Sequence, residues 1–247
     1  GFLAYENLQT AKTSDRYEYV FPYFNYSKTL LSNSLGSLNF GSDGQNRLKN
    51  TNNLKTVVSN NLNFITNNFY SDSGFVNNYG AYFKNLNTVA KNDSEFKSSL
   101  QSEILNIYEF NTSLPLVKRE NNFYNYITPK ISFRINPSDM KDHSTSSNTL
   151  TTKNIFGINR LGITDSFESG KSLTLGLDYR KESDLNIDKY FEVKFAGILR
   201  DTPNYKIPAS SSSQGQTSNL FGSIENKFSE SFKLDYNFSI DNNFQNF

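Results

Sequence analysis

The feature that most constrains this chain is the strict alternation in residues 232–240, which read F-K-L-D-Y-N-F-S-I. Successive side chains of a β-strand point to opposite faces, so a strand with this sequence has one apolar and one polar face. The same alternation recurs in residues 130–135 and 172–180. A soluble sandwich can show this pattern, and so can a membrane barrel.

Segments of period-two character, bounded by Gly, Asn, Asp, Ser or Pro, fill the chain, whereas helical periodicity is nearly absent. They predict ten strands, at residues 17–27, 35–46, 52–68, 74–88, 97–114, 122–136, 172–181, 189–200, 217–228 and 231–244. Several exceed the roughly 9–11 residues that cross a bilayer with tilt, whereas soluble strands typically have about 5–6. Strand length therefore favours a membrane barrel.

The predicted connections after residue 136 alternate in length. Residues 137–171 and 201–216 are long connections, and residues 183–188 and 229–230 are short ones. Outer-membrane barrels have short periplasmic turns and long outer loops. We therefore expect an all-β, antiparallel up-and-down transmembrane β-barrel with both long segments as outer loops. This interpretation places residues 155–163 in a loop, because a strand there would break the alternation.

Composition excludes several classes of function. The 247 residues include no Cys and one His, and the net charge is +1. The lack of Cys excludes disulfides, thiolate metal sites and a thiol nucleophile, and the scattered, balanced charge argues against nucleic acid as a partner. No run approaches the roughly 18 apolar residues of a membrane helix.

Few side chains could carry chemistry. His143 lies near Asp139 and Asp142, but without a second His or a Cys it is better interpreted as a solvated loop histidine than as a metal ligand. The pair Asp165 and Glu168 is interpreted as surface or lumen groups, since a glycosidase needs two carboxylates that face one cleft. We therefore predict no enzyme activity, no catalytic residue, no cofactor and no metal site.

Several short motifs occur in a characteristic order. They are T-P-K at 128–130, N-I-F-G-I-N-R at 154–160, D-S-F-E-S-G at 165–170 and S-L-T-L-G at 172–176. Upstream, residues 19–26 (Y-V-F-P-Y-F-N-Y) form an aromatic segment with an internal proline. This order resembles the LptD family of lipopolysaccharide-assembly proteins, also called organic solvent tolerance proteins, and especially its alphaproteobacterial members. The resemblance runs from about residue 2 to residue 247.

The resemblance implies a fold, a location and partners. Members of this family insert lipopolysaccharide into the outer leaflet of the Gram-negative outer membrane. They have a periplasmic jellyroll and a very large barrel, which an LptE-like lipoprotein plugs. Residues 1–247 would be a partial, open arc of about ten strands, without the jellyroll and without the first and last strands of the barrel. The implied partners are lipopolysaccharide, the plug lipoprotein, the outer membrane and, through the jellyroll, periplasmic bridge proteins.

Two groups of residues are candidates for a role in that function. The polar alternates of the strands would line and hydrate the lumen, and these candidates are Lys130, Arg134, Ser172, Thr174, Asp178, Arg180, Lys233, Asp235 and Asn237. The outer-loop motif comprises Asn154, Asn159, Arg160, Asp165, Glu168 and Gly170. We expect Arg160 to pair with a carboxylate of this loop and so to fold the loop into the barrel mouth.

Two other functions stay open. A general porin or substrate-specific outer-membrane channel explains the alternation equally well and lacks only the motif order. A soluble, secreted β adhesin is the second alternative, but it leaves the alternating connection lengths unexplained. Burial of Leu234, Tyr236 and Phe238 in a two-layer core would exclude a membrane location.

Overall fold

The computed structural model describes residues 1–6, 17–49, 52–94, 96–186 and 188–242. The end of the last predicted strand, at residues 243–244, lies outside these ranges. Within them the only helix is a 3₁₀ turn at Ala209–Ser211. No helix in the described part of the chain is long and apolar enough to cross a membrane.

Thirteen strands, numbered in chain order, make up the described fold. They are β1 Leu3–Glu6, β2 Tyr17–Ser32, β3 Gly36–Lys49, β4 Asn53–Thr66, β5 Phe69–Tyr70, β6 Val76–Lys91, β7 Gln101–Ser113, β8 Leu116–Glu120, β9 Phe123–Asn136, β10 Gly170–Ser183, β11 Tyr190–Arg200, β12 Leu220–Lys227 and β13 Lys233–Ile240. Each of the ten predicted strands corresponds to one of these. The sequence missed β1, β5 and β8, which have only 4, 2 and 5 residues and are too short to show a clear period.

All of the strands belong to one antiparallel up-and-down sheet. Its order is β1-β2-β3-β4-β6-β7-β9-β10-β11-β12-β13, with β5 paired to β6 and β8 paired to β9. β1 and β13 end this order, and no pairing between described residues joins them. The predicted all-β, up-and-down, open architecture is thus confirmed.

Both prolines that fall inside strands lie where a ladder hydrogen bond is dispensable. Pro22 lies within a register shift between β2 and β3. Pro129 lies on β9 opposite the gap between β7 and β8, whose pairings with β9 end at Lys130 and Ile127. Proline has no N–H to donate, so a bulge or a break in pairing accommodates it.

The described chain divides into two compact units. Unit 1 comprises residues 1–67 and 81–106, and unit 2 comprises residues 68–80 and 107–247. Unit 1 buries an apolar group on β6 and β7 that consists of Tyr82, Leu86, Ala90 and Leu105. At the start of β2 it also buries Glu18, which forms ion pairs with Arg47 at 2.9 Å and Lys49 at 3.3 Å.

In unit 2 the strand registers define two faces of β9–β13. Lys130 opposes Gly176, Asp178 opposes Lys194, Lys194 opposes Ser223, and Ser223 opposes Asn237. Directly opposed residues of antiparallel strands point to the same face. We call the face of these residues the polar face and the opposite one the apolar face.

The apolar face is exposed. The large side chains on it that are more than a third accessible are Phe123, Ile127, Ile131, Phe133, Leu175, Leu177, Phe191, Phe195, Leu199, Leu220, Ile224, Leu234 and Tyr236. Leu234 and Tyr236 are 54% and 64% exposed, and Phe238 is half-buried. These three residues therefore do not lie in a two-layer core.

The apolar core of unit 2 lies on the polar face instead. It combines side chains of the two long connections with side chains of β11 and β12, and its members are Met140, Leu150, Ile155, Leu161, Ile163, Ala196, Ile198, Ile207 and Phe221. Phe156 packs against this cluster. The long connections are thus folded back over the polar face of the sheet.

Candidate functional site: the loop-covered polar face

Residues 137–169 and 201–219 together form a cap on the polar face, and we call them the loop cap. Backbone hydrogen bonds join the two segments: His143 N donates to Lys206 O at 2.7 Å, and Ala209 N donates to Ser144 O at 3.1 Å. The hydroxyl of Ser210 donates to Asn148 O at 2.8 Å. The two connections therefore form one folded layer.

Turns, not a strand, occupy residues 155–163. The side chains of Asn154 and Asn159 fix these turns. Asn154 accepts a hydrogen bond from Thr151 N at 2.8 Å, and the Asn159 amide donates to Ile163 O at 2.7 Å while its oxygen accepts from Ile163 N at 3.0 Å. Asparagine side chains that bond nearby backbone groups compete with strand pairing. This explains why an apolar segment such as I-F-G-I stays out of the sheet.

Arg160 anchors the cap to the sheet. Its Nε donates to Glu168 Oε2 at 2.7 Å, and its Nη2 contacts Glu168 Oε1. Its Nη1 donates to Thr174 Oγ1 at 2.9 Å, and Nη2 also donates to Ser172 Oγ at 3.1 Å. The expected pairing of Arg160 with a carboxylate is confirmed, and the partner is Glu168.

Glu168 lies among buried cations. Arg200 Nη2 contacts Glu168 Oε1, while Arg200 Nε donates to Ser213 O at 2.8 Å. Burial disfavours the charged form of Glu168, but the positive charges of Arg160 and Arg200 outweigh burial and hold the pKa of Glu168 below its ordinary value. Removing one partner of such a pair leaves an uncompensated buried charge, so these residues act as a unit.

Arg134 extends the buried cluster on β9. One of its Nη atoms donates to Gly157 O in the cap, and its Nε lies 3.6 Å from Glu109 Oε2 on β7. The cap is therefore attached to three neighbouring strands, β9, β10 and β11, through Arg134, Arg160 and Arg200.

An aromatic ring seated on a glycine supplies a second attachment. The ring of Phe156 lies over Gly176 of β10, where an added Cβ would come within 2.6 Å of Phe156 Cζ. Lys130 Nζ lies 5.9 Å from the centroid of this ring. The sequence did not predict this contact between Phe156 and Gly176. It did contain one indication of it, because Gly176 stands where the alternation of Ser172, Thr174 and Asp178 calls for a polar side chain.

Polar contacts hold the cap over the remaining strands. Thr152 Oγ1 donates to Ser223 Oγ of β12 at 2.8 Å, and Lys153 Nζ donates to Asp235 Oδ2 of β13 at 2.6 Å. Asn237 donates to Asp235 Oδ1 at 3.0 Å. The cap thus reaches from β9 to β13.

All nine lumen-lining candidates lie on the polar face by register. The cap covers Arg134, Ser172 and Thr174, which are buried. The other candidates are in charge pairs or contacts on the same face: Lys130 with Asp178, Arg180 with Glu182 at 2.9 Å, Lys233 with Glu225 at 2.8 Å, and Asp235 with Lys153. Most of the charged candidates on the polar face are therefore paired with a residue of opposite charge.

The other motif residues hold the cap from inside. Asp165 Oδ1 lies 3.0 Å from His143 Nε2, and Asp165 Oδ2 lies 3.6 Å from Lys141 Nζ. The expectation of a solvated His143 is wrong, because its side chain is 21% exposed and packed against Asp165. Gly170 is not a loop residue but the first residue of β10, and its φ of +89° is a conformation that favours glycine.

The loop cap is thus held on the sheet by its own side chains and covers part of the polar face. Among the described residues, no group of three or more His, Cys, Asp or Glu side chains is placed to hold a metal ion. No family model and no curated protein match the chain.

Proposed function

We propose that this chain is part of an outer-membrane β-barrel and that the barrel inserts lipopolysaccharide into the outer leaflet. The observation that carries the membrane part is the contrast between the two faces of β9–β13. One face exposes large apolar side chains on every strand. The other carries paired charges, and a folded cap buries part of it.

Hydrocarbon on one side of the sheet and water on the other explain this contrast. Soluble monomers rarely expose contiguous apolar patches larger than a few hundred Å². In a bilayer the same surface contacts hydrocarbon, while strand pairing satisfies the backbone groups. Barrel strands alternate apolar side chains toward lipid and polar side chains toward the lumen. The apolar face is then the lipid side, the polar face is the lumen side, and the loop cap lies at the outer mouth.

The lipopolysaccharide part of the proposal rests on the order of the motifs in residues 126–182, which resembles the LptD family. Residues of two of these motifs hold the loop cap in this chain, namely Asn154, Asn159, Arg160 and Glu168. Under this proposal an LptE-like lipoprotein and periplasmic bridge proteins are partners of the whole barrel.

Cysteine accessibility tests the membrane part. The chain has no Cys, so single substitutions can be labelled selectively in outer-membrane vesicles that contain the barrel. A membrane-impermeant maleimide should label Thr128→Cys and Lys194→Cys on the polar face. It should not label Ile131→Cys and Ile224→Cys on the apolar face until the protein is denatured. Equal labelling of both pairs in intact vesicles would contradict a lipid-facing surface.

A substrate-specific channel is the second candidate function, and the loop cap favours it. Loops that fold into a barrel lumen narrow or plug it, and pore diameter controls what a channel admits. A photoreactive residue at Arg180 or Lys194 separates the two functions. Adducts with lipopolysaccharide in cells support export, whereas steady ion conductance without such adducts supports the channel.

A further inference from the structure

A row of polar side chains crosses three strands beneath the loop cap. Arg134 of β9 and Arg200 of β11 both lie directly opposite Ser172 of β10, and all three residues are buried. Neighbouring strands lie about 4.8 Å apart, so the two arginines flank Ser172 on the same face of the sheet. We call these three residues the Arg-Ser-Arg row.

The carboxylate of Glu168 lies over the Arg-Ser-Arg row. Arg200 Nη2 contacts Glu168 Oε1. Arg160 of the cap contacts the same carboxylate and also donates to Ser172 Oγ at 3.1 Å. The cap therefore supplies the row with an anion from within the chain.

The β9 end of the row has donors that this carboxylate does not satisfy. Arg134 donates to Gly157 O through Nη2, but its Nη1 has no hydrogen-bond partner among the described residues. The hydroxyl of Ser132, the next residue on the same face of β9, is fully buried and also has none within that part of the chain. Buried donors without a partner are rare and costly. They indicate a ligand with more acceptor oxygens than a carboxylate has.

A phosphate group matches these donors in charge and in number of acceptors. A phosphate monoester carries a charge of about −1.5 to −2 at neutral pH and has three strong acceptor oxygens, and guanidinium groups bind phosphate through paired parallel hydrogen bonds. Around the row the buried cations outnumber the buried carboxylates, with Arg134, Arg160 and Arg200 against Glu109 and Glu168. This balance favours an anion of higher charge than a carboxylate.

We propose that the Arg-Ser-Arg row is a phosphate-binding site and that Glu168 competes with the phosphate for it. A phosphate reaches the row only when the cap opens, so phosphate binding and cap opening are coupled. The source of the phosphate rests on the proposed function, since we assign it to a phosphate group of lipopolysaccharide at the outer mouth. The site itself requires only the geometry of the row.

Binding of inorganic phosphate tests the site. The whole barrel that contains this chain is purified in detergent, and its affinity for radiolabelled phosphate is measured by equilibrium dialysis at constant ionic strength. Glu168→Gln removes the competing charge and should bind phosphate about tenfold more tightly than the unmodified barrel, the effect of one hydrogen bond to a charged group. Adding Arg200→Lys, which keeps the charge but lacks the planar fork, should reverse most of this gain.

Two further variants control this measurement. Asp139→Asn removes the same charge from the cap, at an exposed position paired with Lys206, and should leave phosphate binding unchanged. Ser172→Ala in the Glu168→Gln background keeps both arginines of the row and should weaken binding, so misfolding of the Arg200→Lys variant does not decide the result. Equal affinities of the Glu168→Gln and Asp139→Asn variants, or a gain that neither change in the row reduces, would overturn the site.

Competition identifies the source of the phosphate. Intact lipopolysaccharide should displace labelled phosphate from the Glu168→Gln variant, whereas lipopolysaccharide stripped of its phosphate groups should not. Displacement by neither would leave the site in place and overturn lipopolysaccharide as the source, and displacement by both would overturn recognition through phosphate. If no variant binds phosphate while Arg180 or Lys194 still forms lipopolysaccharide adducts in cells, the site is wrong and the proposed function stands.

Discussion

At the scale of single residues, Arg160 determines where the loop cap lies. Its buried guanidinium bonds Glu168 in the cap and Ser172 and Thr174 on β10. Arginine suits this position because its planar fork can bond several acceptors at once. The sequence predicted that Arg160 pairs with a carboxylate, but the identity of the carboxylate and the contacts to the sheet required the structure.

We predict that Arg160→Met loosens the cap while leaving the sheet intact. The substitution keeps most of the volume but leaves Glu168 buried beside Arg200 alone, a change that typically costs about 3–5 kcal/mol. Hydrogen exchange should report this cost as a lower opening free energy for the amides of Ile155 and Leu161. The amides of β10 and β11 should keep most of their protection.

Lys206→Met is the matched control for Arg160→Met. It removes the exposed ion pair with Asp139 within the same cap, and exposed pairs contribute little to stability. The control should leave exchange in the cap unchanged. Equal loosening by the two variants would mean that the buried cluster does not anchor the cap.

We also predict that acid loosens the cap through Glu168. Its folded-state pKa is held below the ordinary value of 4.5. The ion-pair contribution is therefore complete above that value and is lost progressively as the pH falls toward the folded-state pKa. The opening free energy of the cap, measured by hydrogen exchange corrected for intrinsic rates, should decline below about pH 4.5.

Glu168→Gln isolates this effect. The pKa values of Asp139 and Asp142 are also lowered, by hydrogen bonds from Lys206 and Ser144 respectively, so acid acts on them in the same direction. The glutamine variant should retain only their shallow decline. A decline as steep as that of the unmodified chain would show that Glu168 does not control the acid response.

Asparagine side chains connect neighbouring strands in unit 1. Ser42 donates a hydrogen bond to Asn60 at 2.7 Å, and Asn85 donates one to Ser102 at 3.1 Å. Cross-strand polar pairs of this kind stabilise a sheet.

At the scale of elements, the cap contacts the sheet where the ring of Phe156 packs on Gly176. We predict that Gly176→Ala displaces the Phe156 ring, since the new methyl group would overlap it. Overpacking of this kind costs about 1–3 kcal/mol. Limited proteolysis should then cut residues 137–169 faster.

The control for Gly176→Ala lies on the next strand. Gly197→Ala also adds a methyl group to the sheet, but on the apolar face and with no atom nearer than 3.8 Å. Its proteolysis pattern should match that of the unmodified chain. If both variants are cut alike, the packing of Phe156 on Gly176 does not hold the cap.

At the scale of the whole molecule, the described sheet has two ends. β1 and β13 each have a single partner strand among the described residues, and unpaired strand edges associate in water and are costly in lipid. We predict that this chain, refolded alone in detergent, forms mixed oligomers. Light scattering checks this, and a monodisperse monomer with closed-barrel stability would contradict it.

The sequence by itself determined the period-two strands, the up-and-down order and the division into apolar and polar faces. These follow from local alternation, because successive side chains of a strand point to opposite faces. It also indicated that residues 155–163 belong to a connection and that Arg160 pairs with a carboxylate.

Only the tertiary structure decided where the long connections fold. The packing of Phe156 on Gly176 and the contact of Arg200 with Glu168 join residues far apart in the chain. No local period encodes such contacts, since they depend on the strand registers and on how side chains fill the space between the layers. For the same reason the sequence showed which side chains are polar but not which of them the cap buries.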